Sequence, residues 1–126
     1  MSARTLRKIG LLIALVAVSP AAANAQAPES QEVTVTGTVI DLDCKFRAGQ
    51  SGAGHRQCAQ VCADNGLTLA ILGDDGKLYM PVGGGMPGQP QNPRLREFAE
   101  QSVTVRGRAY QAGGAVALEI ESIRRT

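Results

Sequence analysis

A β-strand is predicted by the sequence EVTVTGTVIDL at residues 32–42. From Val33 to Val39 the odd positions carry valine or glycine and the even positions carry threonine, which is the two-residue period of a half-buried strand. The motif Val-Thr-Val-x-Gly occurs at residues 33–37 and again at residues 103–107. A glycine at the same place in two strands lets both coil tightly as a small barrel closes. Chance repetition of a common strand pattern is the alternative explanation.

Beyond this strand, the chain alternates between short strands and two helices. The predicted elements are, in chain order, strand 32–42, helix 55–65, strands 67–72 and 77–82, a short helix from Asn92, and strands 102–111 and 115–123. Gly66 suits the left-handed end of the first helix, and Gly73-Asp-Asp-Gly76 has the turn chemistry of a hairpin. Asn92 and Pro93 suit the N-cap and the first position of the second helix.

The predicted fold class is mainly β. The order of elements is that of a small five-stranded OB-like barrel, with an inserted cysteine-bearing helix and a second short helix between strands 3 and 4. An open sheet with two helices is the alternative.

The first 25 residues have the features of an export signal. Arg4, Arg7 and Lys8 precede an apolar run at residues 9–18, and small residues lead to Ala-Asn-Ala at residues 23–25. The run is about half of the roughly 20 residues that a membrane span needs. We therefore predict a signal peptide at 1–25, a polar leader at 26–31, a single OB-like domain at 32–126 and a periplasmic or secreted location without a membrane span.

Removal of this segment changes the charge of the protein. The full chain has 13 basic and 11 acidic residues; loss of three basic residues leaves ten against eleven, a net charge of −1. Tyr79 and Tyr110 are the plausible base-stacking side chains, so the arginines of the last third are interpreted as a solvated surface, not a nucleic-acid site. These arginines are Arg94, Arg96, Arg106, Arg108, Arg124 and Arg125.

All three cysteines and the single histidine lie within 19 residues, as Cys44-x10-His55-x2-Cys58-x3-Cys62. On a helix that starts near His55, the last three of these residues form one stripe, and Cys44 approaches from the end of the preceding strand. His55 and Cys62 are about 10 Å apart along such a helix. One ion can therefore join them only if His55 lies on a loosened first turn, so His55 is an optional fourth ligand or a gate.

Three interpretations of this cluster are open. Cys3His suits structural Zn(II), and three thiolates suit Cu(I). In an oxidising compartment, Cys44 can instead pair with Cys58 or Cys62, leaving one spare thiol. A bridge between Cys58 and Cys62 is disfavoured because their Cβ vectors run parallel on one helix. A third, smaller possibility makes the unpaired cysteine a redox handle.

Two carboxylates precede the first cysteine. Asp41 and Asp43 either terminate the strand or support His55 by a hydrogen bond. No serine has the context of a nucleophile elbow, and one histidine would have to serve any catalytic scheme. The protein is therefore not expected to be an enzyme.

The motif H-x-x-C-A-x-x-C-A, from His55 to Ala63, follows Gly37-x-Val39-x-Asp41-x-x-Cys44. With it, the chain resembles small secreted bacterial OB-fold-like proteins of unassigned function over nearly its whole mature length. The resemblance implies that the fold and the cysteine cluster belong together, and it implies no mechanism. Those proteins often carry an aromatic residue directly after the first cysteine, where this chain has Lys45.

The sequence thus predicts an exported, non-catalytic protein of the cell envelope that binds a soft metal, one Cu(I) or Zn(II), through Cys44, Cys58 and Cys62 with His55. The alternative is an OB-like binding or interaction module with one disulfide, a spare thiol and no metal. The expected partner is a metal ion or another envelope protein.

Overall fold

The computed structural model describes residues 27–126, so the predicted signal peptide and its cleavage site lie outside the described residues. The strands are β1 (Ser30–Asp41), β2 (Leu69–Gly73), β3 (Leu78–Val82), β4 (Ser102–Ala112) and β5 (Ala115–Arg125). The helices are α1 (Leu42–Ala48), α2 (Arg56–Asp64) and α3 (Asn92–Leu95), with 3-10 turns at Ala53–His55 and Arg96–Phe98. No helix among these is long and apolar enough to cross a membrane.

The five strands form a closed barrel in the order β1-β2-β3-β5-β4. Strands β3 and β5 run parallel, and the other neighbours run antiparallel. This topology confirms the predicted OB-like barrel, with the cysteine-bearing helix inserted between β1 and β2 and the short helix between β3 and β4. Closure gives every one of these strands two neighbours, which is how small all-β domains limit edge-to-edge association.

The repeated Val-Thr-Val-x-Gly motif is the seam that closes the barrel. Its two copies pair antiparallel with each other, so that Val33 faces Gly107 and Gly37 faces Val103. A Cβ atom at Gly37 would collide with the carbonyl oxygen of Leu72 on β2, and one at Gly107 would collide with that of Glu119 on β5. Each glycine therefore lies where its strand passes too close to its other neighbour, β2 or β5, for a side chain to fit.

The core fills the barrel and is almost wholly aliphatic. Leu95 and Phe98, from the connection between β3 and β4, pack against the residues from the strands, and Ala63 of α2 joins the same cluster. The fully buried members are Val39, Leu69, Ile71, Leu95, Val103, Val105 and Leu118, each at most 1% exposed. The cysteines are not part of this core cluster.

Three predictions made from the sequence need correction. A helix, α1, occupies Leu42–Ala48, where a loop was expected. The predicted helix 55–65 begins as α2 only at Arg56, because His55 closes a separate 3-10 turn. Asn92 is the first residue of α3 and not its N-cap, a position that Gln91 takes. The left-handed Gly66 after α2 is as predicted, with a φ of 87°.

Candidate metal centre

Cys44 lies on α1, which begins where β1 leaves the barrel. Asp41 is the N-cap of this helix: its Oδ1 accepts a hydrogen bond from the backbone N–H of Cys44 at 3.2 Å. An aspartate is among the best N-cap residues because its carboxylate satisfies an amide that has no partner within the helix. Asp41 is 0% exposed. The end of β1 and the first turn of α1 therefore place a buried carboxylate and Cys44 next to each other.

His55 is presented by the 3-10 turn that precedes α2. Its backbone N–H donates to the carbonyl of Gly52 at 2.9 Å, and its side chain is buried. The N–H of Gly52 in turn donates to Oε2 of Glu100 at 2.7 Å. Glu100 has a φ of 57°, a left-handed conformation that is uncommon outside glycine. A strained residue beside β4 thus anchors the turn that carries His55.

Cys58 and Cys62 are one helical turn apart on α2, where residues i and i+4 share a face. The helix is fixed from the opposite side by the connection between β3 and β4. Arg96 makes a bidentate ion pair with Asp64 at 2.6 and 2.8 Å, and Gln60 donates to the Arg96 carbonyl. Cys58 is exposed and Cys62 is half-buried.

Asn92 ties the end of α2 to the barrel. Its side-chain amide donates to the carbonyls of Ala63 and Leu67 at 3.1 and 2.7 Å, and its Oδ1 accepts from the backbone N–H of Leu69 at 3.1 Å. The position of Asn92 in the sequence suggested a helix cap, but the side chain instead joins α2 to β2. The cysteine-bearing helix is therefore held at a fixed place on the barrel.

Two groups of potential ligands meet around Cys44. In the outer cluster, the sulfur atoms of Cys44, Cys58 and Cys62 all lie within 4.8 Å of one another. In the inner cluster, ligand atoms of Asp41, Cys44 and His55 do the same. All three cysteines of the chain lie in the described region and are free thiols. The structure thus brings together all four residues predicted from the sequence, but it groups His55 with Asp41 and Cys44.

Two of the thiols, those of Cys44 and Cys62, have pKa values above the ordinary value of 9.0. The carboxylate of Asp41, followed by burial, raises the pKa of Cys62 to about 12. Burial and then Asp41 raise the pKa of Cys44. For Asp41 itself, burial acts to raise the pKa, but interaction with the Cys62 thiol and the Cys44 amide outweighs it, and the net pKa is lowered. An entering metal ion must therefore displace thiol protons.

Sequence reasoning treated Asp41 only as a support for His55 or a strand end, and it missed Glu100. If α1 had been predicted, the place of Asp41 directly before the first turn of that helix would have indicated its capping role. Glu100 had no comparable signal, because a left-handed glutamate followed by an ordinary strand leaves no pattern in the sequence. Its role depends on a contact with Gly52, 48 residues away along the chain.

Comparison of the chain with protein-family models, with curated proteins and with solved structures finds no match.

Proposed function

We propose that this protein is an exported, non-catalytic metal-binding protein of the cell envelope, in which Cys44, Cys58 and Cys62 hold one soft metal ion. The observation that carries the proposal is the mutual proximity of the three sulfur atoms, all within 4.8 Å. Two helices, α1 with Cys44 and α2 with Cys58 and Cys62, must be positioned relative to each other to achieve this. Soft thiolate ligands favour Cu(I) and Zn(II) among the ions available to a cell.

The composition of the outer cluster favours Cu(I) over Zn(II). Structural zinc sites have four protein ligands in tetrahedral geometry. The outer cluster has three sulfurs, and the histidine predicted as a fourth ligand belongs to the inner cluster. Cu(I) accepts low-coordinate thiolate ligation, so three sulfurs suffice for it.

The exposure of the outer cluster supports binding and release over permanent storage. Cys58 is exposed, whereas Cys44 and Cys62 are half-buried. An ion can therefore enter and leave through Cys58 while the other two thiolates remain ligated. This arrangement suits a protein that exchanges its ion with a partner in the envelope.

One observation supports a non-catalytic, non-redox role, and a second argues against nucleic-acid binding. The pKa values of Cys44 and Cys62 are raised, whereas reactive cysteines have lowered values. Several of the arginines also form pairs within the protein, among them Arg96 with Asp64 and Arg108 with Glu121. These pairs reduce the basic surface that a nucleic acid would require.

Anaerobic titration of the reduced, tag-free protein with Cu(I), against a chromogenic chelator, tests the proposal. We expect one Cu(I) per chain, with native mass spectrometry showing the same increment. Cys58→Ser and Cys62→Ser should each weaken Cu(I) binding by at least roughly 100-fold, since about 1.4 kcal/mol corresponds to a factor of ten. Gln57→Ser, an exposed neighbour on the same helix, is the matched control and should bind as the wild type does. Equal Cu(I) affinity in all variants would refute the proposal.

A disulfide-stapled binding module is the second candidate, and one surface feature favours it. A largely apolar groove of about 650 Å³ runs beside β5 and the glycine-rich loop, with Val82, Met86, Tyr110 and Glu119 among its lining residues. Under this alternative, protein purified from the periplasm has one titratable thiol and a two-proton mass deficit. A bridge that closes a loop of about 15 to 19 residues would stabilise the fold by roughly 3 kcal/mol. Three titratable thiols would exclude it.

A further inference from the structure

Asp41 and His55 present two buried polar atoms without partners. Oδ2 of Asp41 and Nε2 of His55 make no hydrogen bond within the described part of the chain. Their side chains are 0% and 7% exposed. Buried polar atoms are nearly always satisfied, because an unpaired one retains the whole cost of its removal from water. Two such atoms beside each other indicate a group that is held between them.

The separation of these two atoms suits a shared metal ion. Oδ2 of Asp41 and Nε2 of His55 are 4.0 Å apart, which is too long for a hydrogen bond. Two zinc–ligand bonds, each about 2.0 to 2.2 Å long, can reach across this distance, and a small approach of the two side chains would give the shorter separation of a tetrahedral site. The sulfur of Cys44 lies within 4.8 Å of both residues' ligand atoms. An oxygen, a nitrogen and a sulfur donor therefore lie close enough together to share one ion.

We infer that Asp41, Cys44 and His55 form a second, inner site for a divalent ion of the zinc class. This donor set is harder than the three sulfurs of the outer cluster, and imidazole with carboxylate suits Zn(II) better than Cu(I). One carboxylate and one thiolate neutralise a divalent cation, so the buried site carries no net charge when it is filled. The inference deepens the proposed function, with which it shares Cys44, but it assigns a different ion to different residues.

The inner site is held in place by contacts outside the ligands themselves. Oδ1 of Asp41 caps α1, and this contact leaves Oδ2 directed away from the helix amide. His55 is positioned by the 3-10 turn, which Glu100 anchors through Gly52. Such supporting contacts lower the cost of organising ligands around an ion. Glu100 is thus a positioning residue of the inner site.

The test uses a variant from which the outer site has been removed. Cys58→Ser/Cys62→Ser protein, reduced and tag-free, is titrated with Co(II) as a spectroscopic probe and then with Zn(II). We expect one Co(II) per chain, with visible bands of a low-symmetry site and a single thiolate charge-transfer band, and displacement by Zn(II). Because His55 is the chain's one histidine, its imidazole NMR resonances report ligation without overlap.

Substitution of the inner ligands should abolish this signal. His55→Gln and Asp41→Asn, each added to the double variant, should weaken Co(II) binding by at least roughly 100-fold. Asp43→Asn, an exposed carboxylate two residues from Asp41, is the control and should bind normally. Circular dichroism checks folding, and if Asp41→Asn unfolds, His55→Gln decides the result.

Two outcomes would overturn the inference. One is a folded double variant that binds no Co(II), and the other is Co(II) binding that survives His55→Gln. The inner and outer sites can fail separately: His55→Gln alone should still take up one Cu(I), whereas loss of Cu(I) in that variant would assign His55 to the outer site.

Discussion

At the scale of single residues, Asp41 connects the fold to the chemistry. It ends β1, caps α1 through Oδ1 and faces His55 through Oδ2. Because it is fully buried, its charge acts on the neighbouring thiols with little screening from water. The same carboxylate thus stabilises the helix that carries Cys44 and favours the protonated form of the neighbouring thiols.

Asp41→Asn in the metal-free, reduced protein should lower the pKa of Cys62 from about 12 towards its ordinary value of 9.0. Asparagine retains the capping oxygen but removes the negative charge that opposes the thiolate. Thiolate ultraviolet absorbance measured against pH gives the result directly. Asp43→Asn should leave the titration curve unchanged, and an unchanged curve for Asp41→Asn would contradict the assigned cause.

The same pKa shift has a consequence for stability. Since the pKa of Cys62 is higher in the folded state than its ordinary 9.0, the contact stabilises the metal-free fold below pH 9. That contribution is lost as the pH rises through about 12, where the folded protein also releases the proton.

At the scale of elements, the β1–β4 seam determines how the barrel closes. Gly37 and Gly107 each face a carbonyl oxygen of a third strand at a distance that leaves no room for a side chain. The register between β4 and β5 also shifts between Arg106 and Gly107, and such a bulge bends a strand sharply. The glycines are therefore required by close approach of the backbones and not by a turn.

Gly107→Ala should destabilise the protein by about 1 to 3 kcal/mol or more, because a methyl group is forced against the backbone of β5. Urea denaturation measures the change in the free energy of unfolding. Gly85→Ala is the matched control: its added Cβ would lie no closer than 4.0 Å to the atoms around it. If the Gly107→Ala protein is as stable as the control, β5 moves away from the added methyl group without a loss in the free energy of unfolding, and the prediction is wrong.

At the scale of the whole molecule, the hydrophobic core and the two clusters of potential ligands are built from different residues. The core cluster fills the barrel without any cysteine, and the three cysteines lie on the helices between β1 and β2. Asn92 and the Arg96–Asp64 pair fasten α2 to the barrel independently of the thiols. We therefore expect the fold to form without a metal, in contrast to zinc fingers, which are unfolded without theirs.

We expect the reduced, metal-free protein to unfold in one cooperative transition, and the Cys44→Ser/Cys58→Ser/Cys62→Ser protein to unfold within a few degrees of it. Bound metal should raise the wild-type midpoint by an amount that grows with the logarithm of the free metal concentration, as linkage requires, and should leave the triple variant unchanged. Differential scanning calorimetry with and without a chelator makes the comparison. Loss of cooperative unfolding in the metal-free protein would mean that the metal is part of the fold.

The alternation of valine and threonine predicted β1, and the order of strands and helices along the chain predicted the barrel, because strand period and turn residues are local properties that appear in the sequence. The spacing of Cys58 and Cys62 likewise predicted a shared helix face. The short helix α1 was missed since its seven residues, from Leu42 to Ala48, have no apolar periodicity. Its stability depends on a cap from a buried aspartate.

The sequence by itself determined the fold class and the membership of the outer cluster, because periodicity, turn residues and helical spacing are properties of neighbours along the chain. Tertiary structure alone decided the partner of His55 and the roles of Asp41 and Glu100. Those depend on where the end of β1, the 3-10 turn and the start of β4 meet in space. Barrel closure brings these three elements into contact, and no local sequence pattern in any of them predicts that contact.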